Sequence, residues 1–320
     1  MIFINPTRYP AMLFRTVLDD DRIFASILVR VTYTLGPTLK IADDQLWKVS
    51  PEPWDSPGGK MEEDGPFMRG GVDLFVFGEV RAPDNETRSM TVRVKAGGFV
   101  RDAVATGRRT WIRKFGKGLV KGRPAPFTSL PLTLASAFGG ASEADGLQLP
   151  YPDNAEGKGY HVTEEQAEGQ ELPNLEETDG CMQRWNDVPP VCGFGFCPHA
   201  NSARLLNGTV IDDDYHIRDF RSQLFNQAFV PMIAPTLAPG DPVELTGFTS
   251  DGPMRFSLPE PPAGVGLMFG DRVVERQLAV DQVGVEVDER RVFVTWRYPF
   301  KYVVREREKR MCQLIEGETA

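Results

Sequence analysis

The chain has 320 residues, with 36 basic against 45 acidic side chains and a formal net charge of −9, a balance that argues against a nucleic-acid or membrane-surface binder. A hydrophobic content of 41% argues against intrinsic disorder. With 31 glycines and 26 prolines, only the stretches 11–35 and 209–230 run for more than twenty residues without either, which excludes long helical bundles, coiled coils and doubly wound sheets and favours short strands joined by turns.

The N-terminal segment lacks a basic region followed by an apolar run, and nowhere do eighteen apolar residues run together. The expectation is a cytoplasmic protein with reduced thiols. In chain order, Val29, Val31, Tyr33 and Leu35 alternate with Arg30, Thr32 and Thr34, which predicts an antiparallel strand with one apolar face and one that can meet water. The run 74–80 is apolar on both faces and suits a central strand. After a turn at 82–85, Met90, Val92 and Val94 alternate with polar residues, and the pair 74–80 and 90–96 reads as a hairpin. Residues 132–138 are expected to form two helical turns that end at Gly139-Gly140. Asp212-Asp213-Asp214 is expected to cap an amphipathic helix near 215–229, with Ile217, Phe220, Leu224 and Ala228 on one face. Val283, Val285 and Val287 lead through a four-residue turn into Val292, Val294 and Trp296, a second hairpin. The resulting fold class is mainly β, an antiparallel sandwich or barrel-like framework with few short helices. Its organisation reads as a β-rich part at 1–138, a loop-rich part at 139–240, and a β-rich part at 241–320 that packs with the first as one unit.

Charge is segregated along the chain. Residues 101–123 hold eight basic side chains against Asp102 alone, and 141–180 hold eleven acidic ones against Lys158. The basic block reads either as a docking surface for an acidic partner or a phosphate backbone or, the favoured reading, as a solvated hairpin face neutralised by the acidic segment. The acidic stretch, poor in large apolar residues between 153 and 171, reads as a long surface loop.

Catalytic constellations are missing. No G-x-S-x-G elbow, phosphate-binding loop or dinucleotide fingerprint is present, and the three histidines lie in no catalytic context. Cys181, Cys192, Cys197 and His199 offer zinc-type donors, but their gaps of ten, four and one residues do not make the usual C-x(2–4)-C knuckle, and the prolines and glycines around them fit a turn-rich segment with buried thiols. No metal and no cofactor is expected. The competing class is a glycan-active or glycan-binding β-sandwich that uses paired carboxylates in a groove lined by Trp47, Trp54, Trp111 or Trp185.

The order of short motifs is more specific than any one of them. Ser26–Leu35 comes first, then Asp73–Pro83, Gly107–Trp111, Pro126–Leu132, Ala137–Gly140, Leu172–Glu176, Gly193-Phe194-Gly195-Phe196, Asp219–Ala228, Leu245–Phe248 and Val292–Arg297. From about residue 17 to 298 this series resembles a bacterial type VI secretion effector adaptor or chaperone family, long catalogued only as a domain of unknown function. The resemblance implies a non-enzymatic cytoplasmic protein that holds a cognate effector and helps load it onto the VgrG trimer and its PAAR-type tip. It implies neither nucleic acid nor membrane as partner. Many relatives carry Asn-Pro-x-Gly-x-Gly after the Phe-Gly-Gly turn, where this chain has Pro152-Asp153-Asn154-Ala155-Glu156-Gly157-Lys158-Gly159, and no pentapeptide-repeat stretch follows residue 298. Candidate partner contacts are Arg108, Arg109, Phe138, Gly139, Gly140, Leu172, Pro173, Asn174, Phe225 and Phe229, although core packing is the favoured reading of the three phenylalanines.

Overall fold

The computed structural model describes residues 1–316 apart from 20, 37 and 215. The alternating segment forms the long strand Arg22–Leu35, which pairs with Ala11–Asp19 on one side and with Arg291–Val303 on the other. Arg291–Val303 pairs with Ala279–Glu286, which runs parallel to Val72–Phe77. With Ile233–Ala234 and Leu39–Ile41 these make a seven-stranded sheet. A five-stranded antiparallel sheet runs in the order Leu175–Glu177, Phe99–Thr106, Ser89–Ala96, Pro242–Thr246, Met254–Ser257. A four-stranded sheet joins Ile2–Ile4, Arg310–Glu316, Ala263–Phe269 and Arg272–Gln277. One apolar cluster draws on all three: Val29, Val31 and Val285 from the first, Val92, Val94 and Leu245 from the second, Val265 and Leu314 from the third. The chain is thus mainly β and sandwich-like, with α-helix among the described residues only at Glu164–Ala167 and Ser202–Gly208.

The expected C-terminal hairpin is present, with Val283 opposite Val294 and Val285 opposite Val292, and Arg290 taking a positive φ in its turn. Other expectations require correction. Strands Val72–Phe77 and Ser89–Ala96 lie in different sheets; Ser89–Ala96 pairs instead with Phe99–Thr106 through the two-residue Gly97-Gly98 loop, where Gly97 has a φ of 53°. The 132–138 segment makes only one 3-10 turn, Leu134–Ser136, before Phe138–Gly139 pairs in parallel with Lys158–Gly159. Among the described residues of 215–229 there is no α-helix, and the one helical element is the 3-10 turn Ser222–Phe225. Thr209–Ile211 and Ile217–Phe220 form a hairpin, because the Asp212 carboxylate accepts hydrogen bonds from the backbone N–H groups of Asp214 and His216 and so stabilises a turn rather than a helix start. The acidic stretch is not a long loop either. It contains the hairpin Ala141–Ala144/Leu147–Pro150, the strand Lys158–Gly159, a helical turn with a Thr163/Gln166 capping box, and the strand Leu175–Glu177.

The second face of the seven-stranded sheet departs most from expectation. Arg30 and Thr32 are fully buried. Register places Arg30, Thr295, Gln282 and Asp73 in one row across four strands, Thr32, Phe293, Gly284 and Phe75 in the next, and Thr34, Arg291, Glu286 and Phe77 in the third. The connection 42–71 covers this face. Arg30 bonds Asp64 at 2.7 Å, Thr295 at 2.8 Å and Gln282 at 2.9 Å. Arg69 pairs with Asp73 at 3.0 Å and also with Asp281, which Arg297 engages at 2.8 Å. Arg297 donates to the Gly65 carbonyl at 2.8 Å. Trp47 lies 4.0 Å from the Phe293 ring, centroid to centroid, and donates to Glu286 at 2.7 Å. Gly284 is required beneath Phe293, since a Cβ there would stand 2.0 Å from the ring.

Burial pushes the Asp73 carboxyl above its ordinary value despite Arg69 and two amide donors. At Asp281 burial acts in the same direction, but Arg297 and Arg69 outweigh it and hold the carboxyl below its ordinary value. Removing one member of a buried pair leaves its partner uncompensated, at a cost of about 3–5 kcal/mol. Asp281→Asn is therefore expected to destabilise the protein by about that amount in urea unfolding at neutral pH. Because the folded value is depressed, the contribution is complete above the unfolded carboxylate value of about 3.9 and disappears as pH falls through the folded one. The gap between wild type and variant should narrow on acidification below about pH 4; a gap independent of pH would show that Asp281 is not held ionised.

Candidate functional site

The segment Gly193–Pro198 is laid alongside the strand Val72–Phe77. Val76 N–H donates to the Phe194 carbonyl at 2.9 Å, and Cys197 N–H to the Gln227 carbonyl at 2.8 Å. Gly193 is needed there, because a Cβ would meet the Phe229 ring at 2.1 Å. Across from it stands the small hairpin Trp54–Ser56/Gly59–Met61, whose Gly58 allows the close approach of Phe77. Together with 132–134 these segments enclose a cleft of about 550 Å³. Its walls are Met61, Phe77, Leu132, Phe194, Phe196 and Phe229, with Lys60, Glu62 and Glu156 as the charged groups. At Gly195 the backbone leaves room: a Cβ would rest 3.5 Å from Phe77, ordinary contact.

A second hollow of about 360 Å³ shares Glu62 and Gln227 with the first. Arg204 closes the boundary by gripping the Glu62 carboxylate at 2.7 and 2.8 Å. Phe225 and Phe67 stack on its wall at 4.6 Å, and His199 also lines it. Arg69 and Arg297, members of the buried network, form part of the same lining.

The structure separates the sequence-predicted residues. Phe138 and Leu172 are buried with Trp111, Ala167 and Met182 in a second core cluster, and Phe229 is buried in a third. Their aromatic and aliphatic surfaces serve packing, though Phe229 also forms part of the cleft floor. Pro173 is buried against Gly159. Asn174 donates to the Thr106 carbonyl at 2.8 Å and accepts from Lys158 at 3.1 Å. Gly139 and Gly140 back a third hollow of about 340 Å³ with Lys158 and His161. A Cβ on Gly139 would stand 2.0 Å from the Asn154 carbonyl, and the Asn154 side chain donates to Leu134 and Phe138 at 2.8 and 2.9 Å. Asn154, Gly157 and Gly159 thus knot this region, and the departure from Asn-Pro-x-Gly-x-Gly is confined to Ala155.

Arg109 is buried against Glu176, and Arg108 pairs with Glu171 at the surface. Arg113 bridges Glu164 and Glu168 at 2.9 and 2.8 Å, Lys158 meets Glu171 at 3.0 Å, and Arg101 pairs with Glu177. The acidic segment therefore neutralises four of the eight basic residues of the block, Arg101, Arg108, Arg109 and Arg113. Arg101 also stacks over Phe194 at 4.2 Å and donates to the Gly193 carbonyl at 2.9 Å, tying the five-stranded sheet to the cleft wall.

Cys181, Cys192, Cys197 and His199 do not converge. Among the described residues the cluster with metal-ligand spacing is Asp212, Asp214 and His216, where Arg218 already supplies a countercharge to Asp212. Trp47 and Trp111 are fully buried, so neither faces a groove. Sequence reading missed the 54–62 hairpin and the Glu62–Arg204 clamp. The Gly58-Gly59 turn and the Gly-Phe-Gly-Phe alternation were the available signals.

Residues 20–297 match the bacterial family described as "uncharacterized protein conserved in bacteria (DUF2169)", and the chain belongs to it. Comparison with curated proteins and with solved structures gives no significant match.

Burial pushes the thiols of Cys197 and Cys312 up to about 12 and raises those of Cys192 and Cys181 as well. Thiolate is the reactive form. Iodoacetamide at pH 8 should leave Cys192, Cys197 and Cys312 unmodified in the folded protein and label all four after denaturation, as read by intact mass. Fast native labelling at Cys197 would contradict the burial described.

Proposed function

We propose that this member of an uncharacterized bacterial family is a cytoplasmic adaptor or chaperone that binds a type VI secretion effector and assists its loading onto the VgrG and PAAR spike. The observation that carries this reading is the 550 Å³ cleft, walled by aromatic and aliphatic side chains and assembled around the Gly193-Phe194-Gly195-Phe196 motif. Open apolar clefts with a few polar groups are what a folded protein offers to a segment of another chain or to a ligand. The role is supported by the order of motifs that resembles effector adaptors, whose elements lie in the cleft wall and in the knot around Asn154. The cleft is rigidly framed: its floor rests on the seven-stranded sheet, and its wall is pinned by Arg101. A preformed site of this kind binds at a reduced ordering cost. A glycan-active reading has less support, because Trp47 and Trp111 are fully buried and Trp54 and Trp185 are half-buried against core clusters.

The test is co-expression with the effector encoded beside this gene, followed by size-exclusion chromatography at low salt. A stable complex is expected. Gly195→Leu, which places a side chain in the cleft without backbone strain, should weaken it by at least about tenfold while leaving the melting temperature within a few degrees. A pair that elutes apart, or a complex indifferent to Gly195→Leu, would overturn the proposal.

A further inference from the structure

Of the eight basic residues in 101–123, four lack an ion pair among the described residues: Lys121, which donates instead to the Met182 carbonyl and the Gln183 side chain, Arg123, and the neighbouring pair Lys114 and Lys117. Lys114 and Lys117 sit at the tip of the hairpin Trp111–Lys114/Gly118–Lys121. Between them Phe115 has a relative exposure of 106%, the highest of the large hydrophobic side chains among the described residues. An aromatic ring held wholly in water forgoes the burial that its type normally finds. Here the exposure is built in. Gly116 and Gly118 take φ values of 72° and 68°, and Lys117 N–H donates to the Lys114 carbonyl at 3.0 Å, so the turn is tight and projects the ring outward.

The base of the hairpin is anchored as firmly as its tip is free. Trp111 is fully buried; its N–H donates to the Gln170 carbonyl at 3.0 Å, and its carbonyl accepts from Gly169 at 2.8 Å. Arg113 is held by two glutamates, and Lys121 donates to the Met182 carbonyl at 2.9 Å. An exposed aromatic on a preordered support, flanked by unneutralised cations, has the form of an interface anchor.

We propose that Lys114-Phe115-Gly116-Lys117 is a docking finger that seats Phe115 in an apolar socket ringed by carboxylates on the effector. The proposal rests on the adaptor reading and adds to it a contact separate from the cleft, with which the finger shares no residue. Charge decides the chemistry of the occupant: the tip is cationic on a protein of net charge −9, so an acidic rim is attracted to the tip and repelled by most of the remaining surface. One ring and two lysines fall short of the two strong signals that stable membrane anchoring takes. Two separated contacts to one cargo act together through effective concentration.

The test titrates the purified effector into the full-length chain by calorimetry. Phe115→Ala should weaken binding by about tenfold or more, as expected for an aromatic anchor. The double variant Lys114→Glu/Lys117→Glu should do the same at low salt, with the loss shrinking at high salt. Neither change touches a buried contact, so both variants should keep the wild-type melting temperature. If both bind as wild type while Gly195→Leu is impaired, the finger is wrong and the adaptor reading stands. If the wild type does not bind the effector at all, the adaptor reading fails and the finger falls with it. Loss of binding to purified VgrG, of flotation with phosphatidylserine vesicles, or of self-association in sedimentation, with effector affinity unchanged, would assign the finger to another occupant and overturn the proposal.

Discussion

Three arginines and three aspartates sealed beneath one face of the seven-stranded sheet govern what the rest of the chain can do. Arg30, Arg69 and Arg297 balance Asp64, Asp73 and Asp281 in number, and each charge is met by more than one partner. Buried charges are tolerated only when paired and hydrogen-bonded. That requirement fixes the connection 42–71, since Lys48 and Gly65 contribute backbone carbonyls and Asp64 and Arg69 contribute side chains. A sheet face with this chemistry cannot be left to solvent or capped by an ordinary apolar helix without stranding ions. The covering segment is therefore specified by charge in one row and by the Trp47–Phe293 contact in the next.

The cleft follows from that arrangement. The covering connection carries the 54–61 hairpin and Glu62, and the sheet presents Phe77 at the end of its third row. Gln227, which donates through its side chain to the Glu63 carbonyl and through its backbone N–H to Asp73, joins the floor of both hollows to the ion network. The network thus supports the site from below, and its loss would first loosen the wall made by 54–62. A second electrostatic layer works at the surface. The acidic segment is folded back onto the basic block by paired side chains, which turns two strongly charged stretches into one ordered region and leaves, among the described residues, Lys114 and Lys117 as unpaired cations at the tip near Phe115, with Lys121 and Arg123 nearer the base.

Sequence patterns revealed the strands and the attraction between charge blocks, but not the partners within the fold. Period-2 alternation located Arg22–Leu35 and the C-terminal hairpin because side-chain direction in a strand is a local property. The burial of Arg30 was not legible, since a lone arginine among valines reads as solvent-facing until Asp64 and Gln282, 34 and 252 residues away, are placed beside it. The 215–229 region misled for a local reason: three consecutive aspartates favour a helix cap and an Asx turn equally, and only the pairing of Thr209 with Phe220 selects the turn. The Gly97-Gly98 hairpin was legible in principle and was obscured by the more conspicuous turn at 82–85. The cleft had no contiguous signature because six separated stretches of chain build it.

The glycines show how the two levels connect. At Gly139, Gly157, Gly193 and Gly284 the absent side chain makes space for a specific neighbour: the Asn154 carbonyl, the Asn154 amide, the Phe229 ring and the Phe293 ring. Such positions cannot accept a substituent without displacing backbone or a packed aromatic, so they define shape. Gly195 differs, because what a Cβ would meet there is an ordinary contact with Phe77 at the cleft wall. A glycine that packing does not demand, in a wall otherwise filled by phenylalanines, keeps the cleft open where bulk would be tolerated by the fold. The high glycine content thus has two separable physical meanings in this chain, one that closes the core and one that leaves a surface for another molecule to fill.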